Sequence, residues 1–319
     1  MFHRSQFGQP VTIASSPATP RDWGLFFFCV ALWGMAYTLV EIALNAHAAP
    51  LVIVAGRLWM ATVMLHAFWI WRRHKQQEPS PTTGTTMKLV GLALTSSVIP
   101  FALLSWSQQH IEAGLAGILA AITPLIVAPI APLLGQDSHL TPARIAGFGI
   151  GFAGVIVLMG PEALAGLGGP GFIGQLAAAS AAVSYAVNGL LVRTGKPIPP
   201  LEASARWTLY GALISTPFAL QALTEHGPPD LQGWAAILCL AIGPTALAGV
   251  GYFALVARTG PTFVTQTNYA IPLFAVGFGA VVLGERLPPQ AFAALALIGL
   301  GLFIAQEGWR AFKSKPMSS

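Results

Sequence analysis

Polar, aromatic and proline residues interrupt the long apolar runs of this sequence at a few positions, and those positions could do chemistry. Residues 265–272 read TQTNYAIP and lie between Phe263 and an apolar run that continues to Leu283. In water such a stretch would be an ordinary loop. In lipid an unsatisfied polar group costs several kcal/mol, so these side chains, and the carbonyl that a proline frees, need protein, cavity water or a ligand as partners.

Residues of the same types recur at a similar depth in the other apolar runs. Four prolines, Pro100, Pro124, Pro244 and Pro272, lie inside such runs, with hydroxyl, amide and aromatic side chains around them. The convergence favours a polar, aromatic cavity over unrelated kinks and interhelical hydrogen bonds. The candidate substrate-binding residues are Trp33, Tyr37, Ser97, Pro100, Trp106, Tyr185, Asn188, Pro244, Tyr252, Gln266, Asn268 and Tyr269.

The chemistry predicted for this cavity is recognition of a neutral or zwitterionic small molecule. No acidic or basic side chain is expected at its depth, so hydroxyls, amides, freed backbone groups and aromatic faces would hold the ligand. The sequence offers no carboxylate there of the kind that proton-driven pumps use. Movement down a gradient by alternating access is therefore the simplest hypothesis.

Membrane-spanning helices are the elements that must position these residues. The 319-residue chain is 55% hydrophobic and 8% charged with a mean hydropathy of +0.67, whereas soluble domains carry about 25% charged residues. Its apolar runs reach the ~20 residues that a helix needs to cross the hydrocarbon layer. We predict an all-α polytopic membrane protein with ten transmembrane helices, at about 23–43, 51–71, 88–108, 113–134, 142–160, 171–192, 202–223, 233–256, 261–283 and 290–309.

The distribution of Lys and Arg predicts the orientation of these spans. All but three of the sixteen fall on one side; Arg286 lies in an opposite loop, and Arg57 and Arg206 lie inside spans. The positive-inside rule then places both termini in the cytoplasm of a bacterial-type inner membrane, and the net charge of +5 marks topology rather than nucleic-acid binding. Arg57 and Arg206 are expected to snorkel or to pair structurally, Arg206 with Glu202 four residues earlier, although a role in substrate contact stays open.

An internal repeat organises the chain. The same spacing separates Trp106 from Gly114 and Tyr252 from Gly260. Five spans in each half is an odd number, so the second half must be inverted, which is a recurrent plan of secondary transporters. We predict a cytoplasmic tail at 1–21, a first repeat at 22–160, a second repeat at 161–310 and a tail at 311–319.

At these residues the sequence resembles the drug/metabolite transporter superfamily, specifically its EamA-type ten-helix members. The resemblance is carried by Trp33–Gly34, Arg57, Thr123–Pro124, Tyr269 with Pro272, and the LGERL stretch Leu283–Leu287. The first half departs from the pattern, since Leu134–Gly135–Gln136–Asp137 stands where the family often has a glutamate. The resemblance implies export or uptake of small metabolites through a cavity between the halves. The tyrosine three residues before the ninth-span proline is similar to that of YddG-like amino-acid exporters.

Several motifs point away from other functions. Residues 149–154 read GIGFAG, a formal dinucleotide fingerprint, but they lie inside an apolar helix where Gly147 and Gly151 would instead allow two helices to pack closely. No phosphate-binding GxxxxGK[ST] motif or HExxH motif is present in the sequence, so we expect no cofactor and no metal. His66 is expected to hydrogen-bond a backbone carbonyl.

The function predicted from the sequence is transport of amino acids or similar metabolites, most simply outward, and no enzymatic activity. The expected partners are the small-molecule substrate and the lipid bilayer, with the oligomeric state open and a monomer compatible. Export of lipophilic drugs is the alternative within the class. A membrane-embedded enzyme, or a sensor or scaffold without flux, are the alternatives outside it.

Overall fold

The computed structural model describes residues 18–76, 85–123, 125–126, 141–165, 170–192, 198–259, 261–264 and 267–305. The predicted tail at 311–319 and nearly all of the tail at 1–21 lie outside the described residues. Gln266, Pro124 and the stretch 134–137 lie outside them as well.

The described residues form α-helices and contain no β-strand, so the predicted all-α class is confirmed for them. In chain order the helices are α1 (Pro20–Asn45), α2 (Pro50–Gln76), α3 (Thr86–Ser107), α4 (Ala113–Ala120), α5 (Pro142–Ala165), α6 (Pro170–Val192), α7 (Pro200–His226), α8 (Leu231–Thr259), α9 (Pro261–Val264), α10 (Thr267–Phe278) and α11 (Pro289–Ala305).

Proline at the first position begins many of these helices, because its missing N–H would find no partner there in any case. The start of α1 is also closed by a capping box. The Asp22 backbone N–H donates to Thr19 Oγ1 over 3.3 Å, and the Thr19 N–H donates to Asp22 Oδ2 over 3.0 Å. Local sequence therefore determines where α1 begins.

Within the described residues, four helices are long and apolar enough to cross a membrane: Pro20–Asn45, Pro50–Lys75, Thr86–Ser107 and Leu231–Thr259. Shorter apolar helices cover Ala270–Leu283 and Pro289–Gly301. Large apolar side chains such as Val63, Phe152 and Leu220 are exposed, as they would be on a surface that lipid covers. The described part of the chain is thus all-helical, with helices suited to a membrane protein, and the count of ten spans stays a prediction.

The helix bundle has two ends, which we call the Asp22 end and the Glu285 end after one residue at each. At the Asp22 end, Arg258 near the end of α8 forms an ion pair with Asp22 over 2.9 Å. At the opposite Glu285 end, the Asp230 N–H before α8 donates to the carbonyl of Ala46, which follows α1, over 3.2 Å. Helices α1 and α8 are therefore antiparallel.

Three further contacting pairs are antiparallel. The start of α2 packs on the end of α7 through Val52 and Ala222, and the end of α2 packs on the start of α7 through Trp69 and Leu201. The pairs α4–α10 and α5–α11 also run in opposite directions, as their glycine contacts require.

Glycines set the closest helix approaches. A methyl group on Gly301 of α11 would collide with the backbone of Gly147 and Gly151 in α5. The predicted packing role of the GIGFAG segment is thus confirmed. Gly34 of the Trp33–Gly34 motif plays the same part in α1, where a methyl group would collide with Phe274 of α10.

Helices α3 and α8 each contain a π-helical turn near an intramembrane proline. In α3 the turn covers Leu94–Val98, just before Pro100, and in α8 it covers Ala241–Leu247 and includes Pro244. A third π turn, Gly279–Leu283, continues α10. Such turns widen a helix locally and are frequent at functional sites, so the predicted relation between Pro100 and Pro244 extends to their backbone geometry.

Candidate functional site

Arg57 lies at the centre of the candidate site. It projects from α2 with 4% of its surface exposed. Its Nε–H donates to Thr245 Oγ1 in the π turn of α8 over 3.0 Å, and its guanidinium carbon lies 3.9 Å from the ring centroid of Phe101 in α3. The side chain thereby connects three helices from both halves of the sequence.

Of the two expected structural roles of Arg57, snorkelling and pairing, the bond to Thr245 corresponds to pairing. One expectation is corrected: the interior of the helix bundle does contain a charged side chain. Tyr37 and Tyr185, two of the predicted binding residues, lie within electrostatic range of the Arg57 guanidinium. Thr245 can accept from Arg57 because its own hydroxyl donates backwards to the carbonyl of Leu240 over 2.8 Å, five residues earlier in the widened turn.

A comparison with Arg206 shows a sequence signal for Arg57 that the predictions missed. Arg206 pairs with Glu202 over 2.7 Å and also donates to Thr85 Oγ1 over 3.1 Å, so its predicted structural pairing is confirmed. The residue four positions before Arg57 is Ile53. Since the helix offers Arg57 no internal partner, a partner on another helix, or a ligand, had to be expected.

The guanidinium of Arg57 retains unused donors. Within the described residues its hydrogen bond is made by Nε, and its two terminal NH₂ groups donate none. A buried cation costs free energy unless it is paired. Contact with the Phe101 ring compensates part of that cost through the π electrons, and the remaining N–H groups suit a planar anion such as a carboxylate.

Trp33 and Tyr252 form a second polar and aromatic group. The indole N–H of Trp33 donates to the Pro244 carbonyl over 3.2 Å, and its ring meets that of Tyr252 edge to face at 6.0 Å. The carbonyl of Pro244 thus accepts from a side chain of α1, which joins α1 to the π turn of α8. These predicted residues lie next to one another, while their role in binding stays a prediction.

Ser97 and Asn188 are committed to contacts between or within helices. Ser97 is fully buried and donates to the Ala93 carbonyl over 2.7 Å. Asn188 accepts from the Thr95 hydroxyl at 3.5 Å, next to a bond from Ser184 to the Thr95 carbonyl. In this conformation both residues make the interhelical or local bonds that were the alternative to a cavity lining.

The other predicted site residues are spread more widely. Pro100 is buried in α3, and Trp106 lies at the Glu285 end, where its ring meets His110 at 4.5 Å. Asn268 is half-buried in α10. Gln266 and the side chain of Tyr269 lie outside what the structure describes, so their predicted role stays a prediction. His66 makes its expected contact, with Nδ1 3.0 Å from the Thr62 carbonyl oxygen.

Glu285 of the LGERL stretch closes the start of α4. Its Oε1 accepts from the Ala113 N–H over 2.8 Å, and its Oε2 accepts from the Gly114 N–H over 3.0 Å. The first N–H groups of a helix have no partner within it and carry partial positive charge, so a carboxylate is the favoured cap. The glutamate of this motif therefore joins α10 to α4 across the interface between the two halves of the sequence.

Next to Glu285 lies an acidic pocket of about 390 Å³ that opens to the surface. Its polar lining consists of three carboxylates, three amides and one histidine: Glu41, Glu112, Glu285, Asn45, Gln108, Gln109 and His110. Glu41 lies one helical turn after Tyr37 on α1. The pocket therefore lies on the Glu285 side of the group around Arg57.

A bundle of apolar helices around a buried arginine, with π turns at or near intramembrane prolines, is compatible with a membrane transporter. The chain belongs to the EamA-like transporter family, whose family model matches residues 22–160 and 172–305. The resemblance drawn from the sequence motifs is thus confirmed, and so is the transporter class, whose members are not enzymes.

Individual relatives agree with this family. The inner membrane transporter YedA of Escherichia coli (strain K12) is 25% identical over 92% of this chain and 94% of its own length. A probable amino-acid metabolite efflux pump of Salmonella typhimurium (strain LT2) is 25% identical over 93% of this chain and 99% of its own. The aromatic amino acid exporter YddG of Ancylobacter novellus is 31% identical over 60% of this chain and 66% of its own.

One solved crystal structure shares the fold. It superposes with a TM-score of 0.61 at 21% sequence identity, over 92% of this chain and all of that one.

Proposed function

We propose that the protein is a secondary transporter that exports amino acids or related small zwitterionic metabolites by alternating access. The observation that carries the proposal is the buried guanidinium of Arg57, whose terminal N–H groups donate to none of the described residues, near Tyr37, Tyr185 and Phe101. A carboxylate would complete the hydrogen bonding of the guanidinium, and the aromatic rings would accept an apolar side chain. The names of the relatives, an amino-acid metabolite efflux pump and an aromatic amino acid exporter, support this substrate class.

Two inverted halves are part of the proposal. The predicted repeat relates α2 to α7, α4 to α10 and α5 to α11, and each of these pairs packs antiparallel. A two-fold axis in the membrane plane requires opposite directions in related helices. The π turns at Pro100 and Pro244 are a further shared feature of related helices.

The two ends of the bundle differ in a way that supports alternating access. At the Asp22 end, α1 and α8 are joined by the Asp22–Arg258 ion pair, and the rings of Trp23 and Phe26 pack on Phe263 at 4.9 and 5.4 Å. At the Glu285 end a pocket is open. With the Asp22 end cytoplasmic, as the Lys and Arg distribution predicts, the conformation is closed inward and open outward.

Counterflow in proteoliposomes tests the proposal. Labelled phenylalanine, leucine, threonine and glutamate should be compared in vesicles that contain wild-type protein, Arg57→Gln or Arg57→Lys. A charge-assisted hydrogen bond contributes about 1.5–3 kcal/mol, so Arg57→Gln should raise the half-saturation concentration of the transported amino acid about 10- to 100-fold. Phenylalaninol, which lacks the carboxylate, should compete equally well in both proteins, which a merely structural role would not produce.

Arg286→Gln is the matched control, because Arg286 is an exposed arginine, whereas Arg57 is buried. Absence of counterflow with every amino acid in a well-folded preparation would refute the substrate class. Flux of ethidium in place of amino acids would support the alternative of lipophilic drug export.

A further inference from the structure

The pocket at the Glu285 end contains acceptors that lack donors. Gln108 is 5% exposed, and its buried Oε1 has no hydrogen-bond partner among the described residues. Oε2 of Glu41 is buried and equally without a partner. Both side chains line the pocket. A buried acceptor that loses water and gains no donor costs free energy, so the pocket is built for something that donates hydrogen bonds.

The negative charge of the pocket is also only partly compensated. Both carboxylate oxygens of Glu285 accept hydrogen bonds from the N–H groups of Ala113 and Gly114, so its charge faces the start of α4. Glu112 precedes the same helix but makes no side-chain cap bond. Burial raises the pKa of Glu112, and the nearby charge of Glu285 raises it further. A bound cation would oppose both effects, because it favours the charged form of a carboxyl group.

The size and lining of the pocket define the kind of cation. A divalent metal ion needs several oxygens within about 2.0–2.6 Å of one point. A space of about 390 Å³ with acceptors on α1, on the segment that follows α3 and on Glu285 is much larger than one ion. An ammonium group has three N–H donors that can reach separate acceptors, and the attached organic group would occupy the remaining volume.

We propose that this pocket is a binding site for the ammonium group of an organic cation or zwitterion, held by Glu41, Glu112 and the amide oxygen of Gln108. The assignment rests on the proposed function, because it completes recognition of an amino acid. Arg57 would receive the carboxylate, and the acidic pocket would receive the ammonium group on the way to the Glu285 end. Tyr37 and Glu41, one turn apart on α1, connect the two places.

Calorimetric titration of the purified full-length protein with three probes separates recognition of the ammonium group from recognition of the carboxylate. The probes are 2-phenylethylammonium, its neutral N-acetyl derivative, and 3-phenylpropanoate, which has a carboxylate and no amine. Wild-type protein should bind the ammonium probe at least about tenfold more tightly than the neutral derivative, since the derivative loses at least one charge-assisted hydrogen bond. This comparison needs no variant and cannot be confused with misfolding.

Variants then locate the site. Glu41→Gln should weaken binding of 2-phenylethylammonium about tenfold or more and leave 3-phenylpropanoate within about twofold, whereas Arg57→Gln should do the reverse. Glu225→Gln, which removes an exposed carboxylate that does not line the pocket, should change neither. Binding of the ammonium probe that depends on Glu41 would uphold the site even if amino-acid counterflow failed. Equal binding of the ammonium and N-acetyl probes, or unchanged binding of the ammonium probe in Glu41→Gln, would overturn it.

Discussion

Glu285→Ala should release the start of α4 from the end of α10. The substitution removes both acceptors of the Ala113 and Gly114 N–H groups. Each charge-assisted bond contributes about 1.5–3 kcal/mol, and the site is half-buried, so the lower value applies to each. Two such bonds amount to about 3 kcal/mol, to which the helix dipole adds up to about 1 kcal/mol. Local opening of α4 should therefore become easier by about 3–4 kcal/mol.

Hydrogen exchange of the α4 amides measures this opening directly. A loss of 3 kcal/mol corresponds to exchange that is roughly 100-fold faster at Ala113 and Gly114. Glu285→Gln retains one carbonyl acceptor, so its effect should be about half as large in free energy, or roughly tenfold in rate. Thermal unfolding, followed by tryptophan fluorescence, should report a smaller shift, because most of the chain does not depend on this cap.

The control for this experiment is Glu225→Ala. Glu225 also accepts a hydrogen bond, from Gln221 Nε2 over 2.9 Å, but it is exposed and lies within a single helix. Its substitution should leave α4 exchange at the wild-type rate. If α4 amides in Glu285→Ala also exchange at the wild-type rate in folded protein, the carboxylate does not hold the two halves together, and the reasoning about the LGERL motif is wrong.

Two further predictions concern packing and the support of Arg57. Gly301→Ala should lower the yield and thermal stability of folded protein, because a methyl group there collides with the backbone of Gly147 and Gly151. Gly299→Ala is the control, because a methyl group there meets nothing within 4 Å. Equal stability of the two variants would contradict the close approach of α5 and α11. Thr245→Val removes the acceptor of Arg57 Nε and should lower the free energy of unfolding by about 1–3 kcal/mol. Thr216→Val is the milder control, because the Thr216 hydroxyl accepts from the exposed Trp59. Chemical denaturation in mild detergent measures both, and a Thr245→Val protein as stable as Thr216→Val would show that Arg57 finds its support elsewhere.

Local features of this protein could be predicted from its sequence because they depend on neighbours in the chain. The capping box at Thr19 and Asp22, the Glu202–Arg206 pair and the contact from His66 to the Thr62 carbonyl all join residues three or four positions apart. The role of Gly147 and Gly151 followed from residue size alone. The family, too, could be recognised from short motifs and confirmed by the match over residues 22–160 and 172–305.

The site was harder to predict because its partners are far apart in the chain. For Arg57 the sequence left snorkelling, structural pairing and substrate contact open, since it shows only that its own helix lacks a partner four residues earlier. Ser97, which was predicted to line a cavity, bonds to a carbonyl of its own helix at a fully buried position, and its role in binding stays a prediction. A polar residue in an apolar helix must be satisfied, but hydropathy cannot distinguish a neighbouring carbonyl, a second helix and a ligand as the partner.

Composition and periodicity by themselves indicated a lipid environment, the helical class and the local side-chain pairs. Burial in lipid requires the backbone N–H and C=O groups to hydrogen-bond within their own helix. Tertiary structure alone decided that Arg57 meets Thr245, 188 residues away, and that Glu285 caps a helix 172 residues before it. It also brought Glu41, Gln108 and Glu112 to one pocket. These long-range contacts depend on which helices pack together and in which direction. The shapes of whole helix surfaces determine that packing, and no short segment of the sequence does.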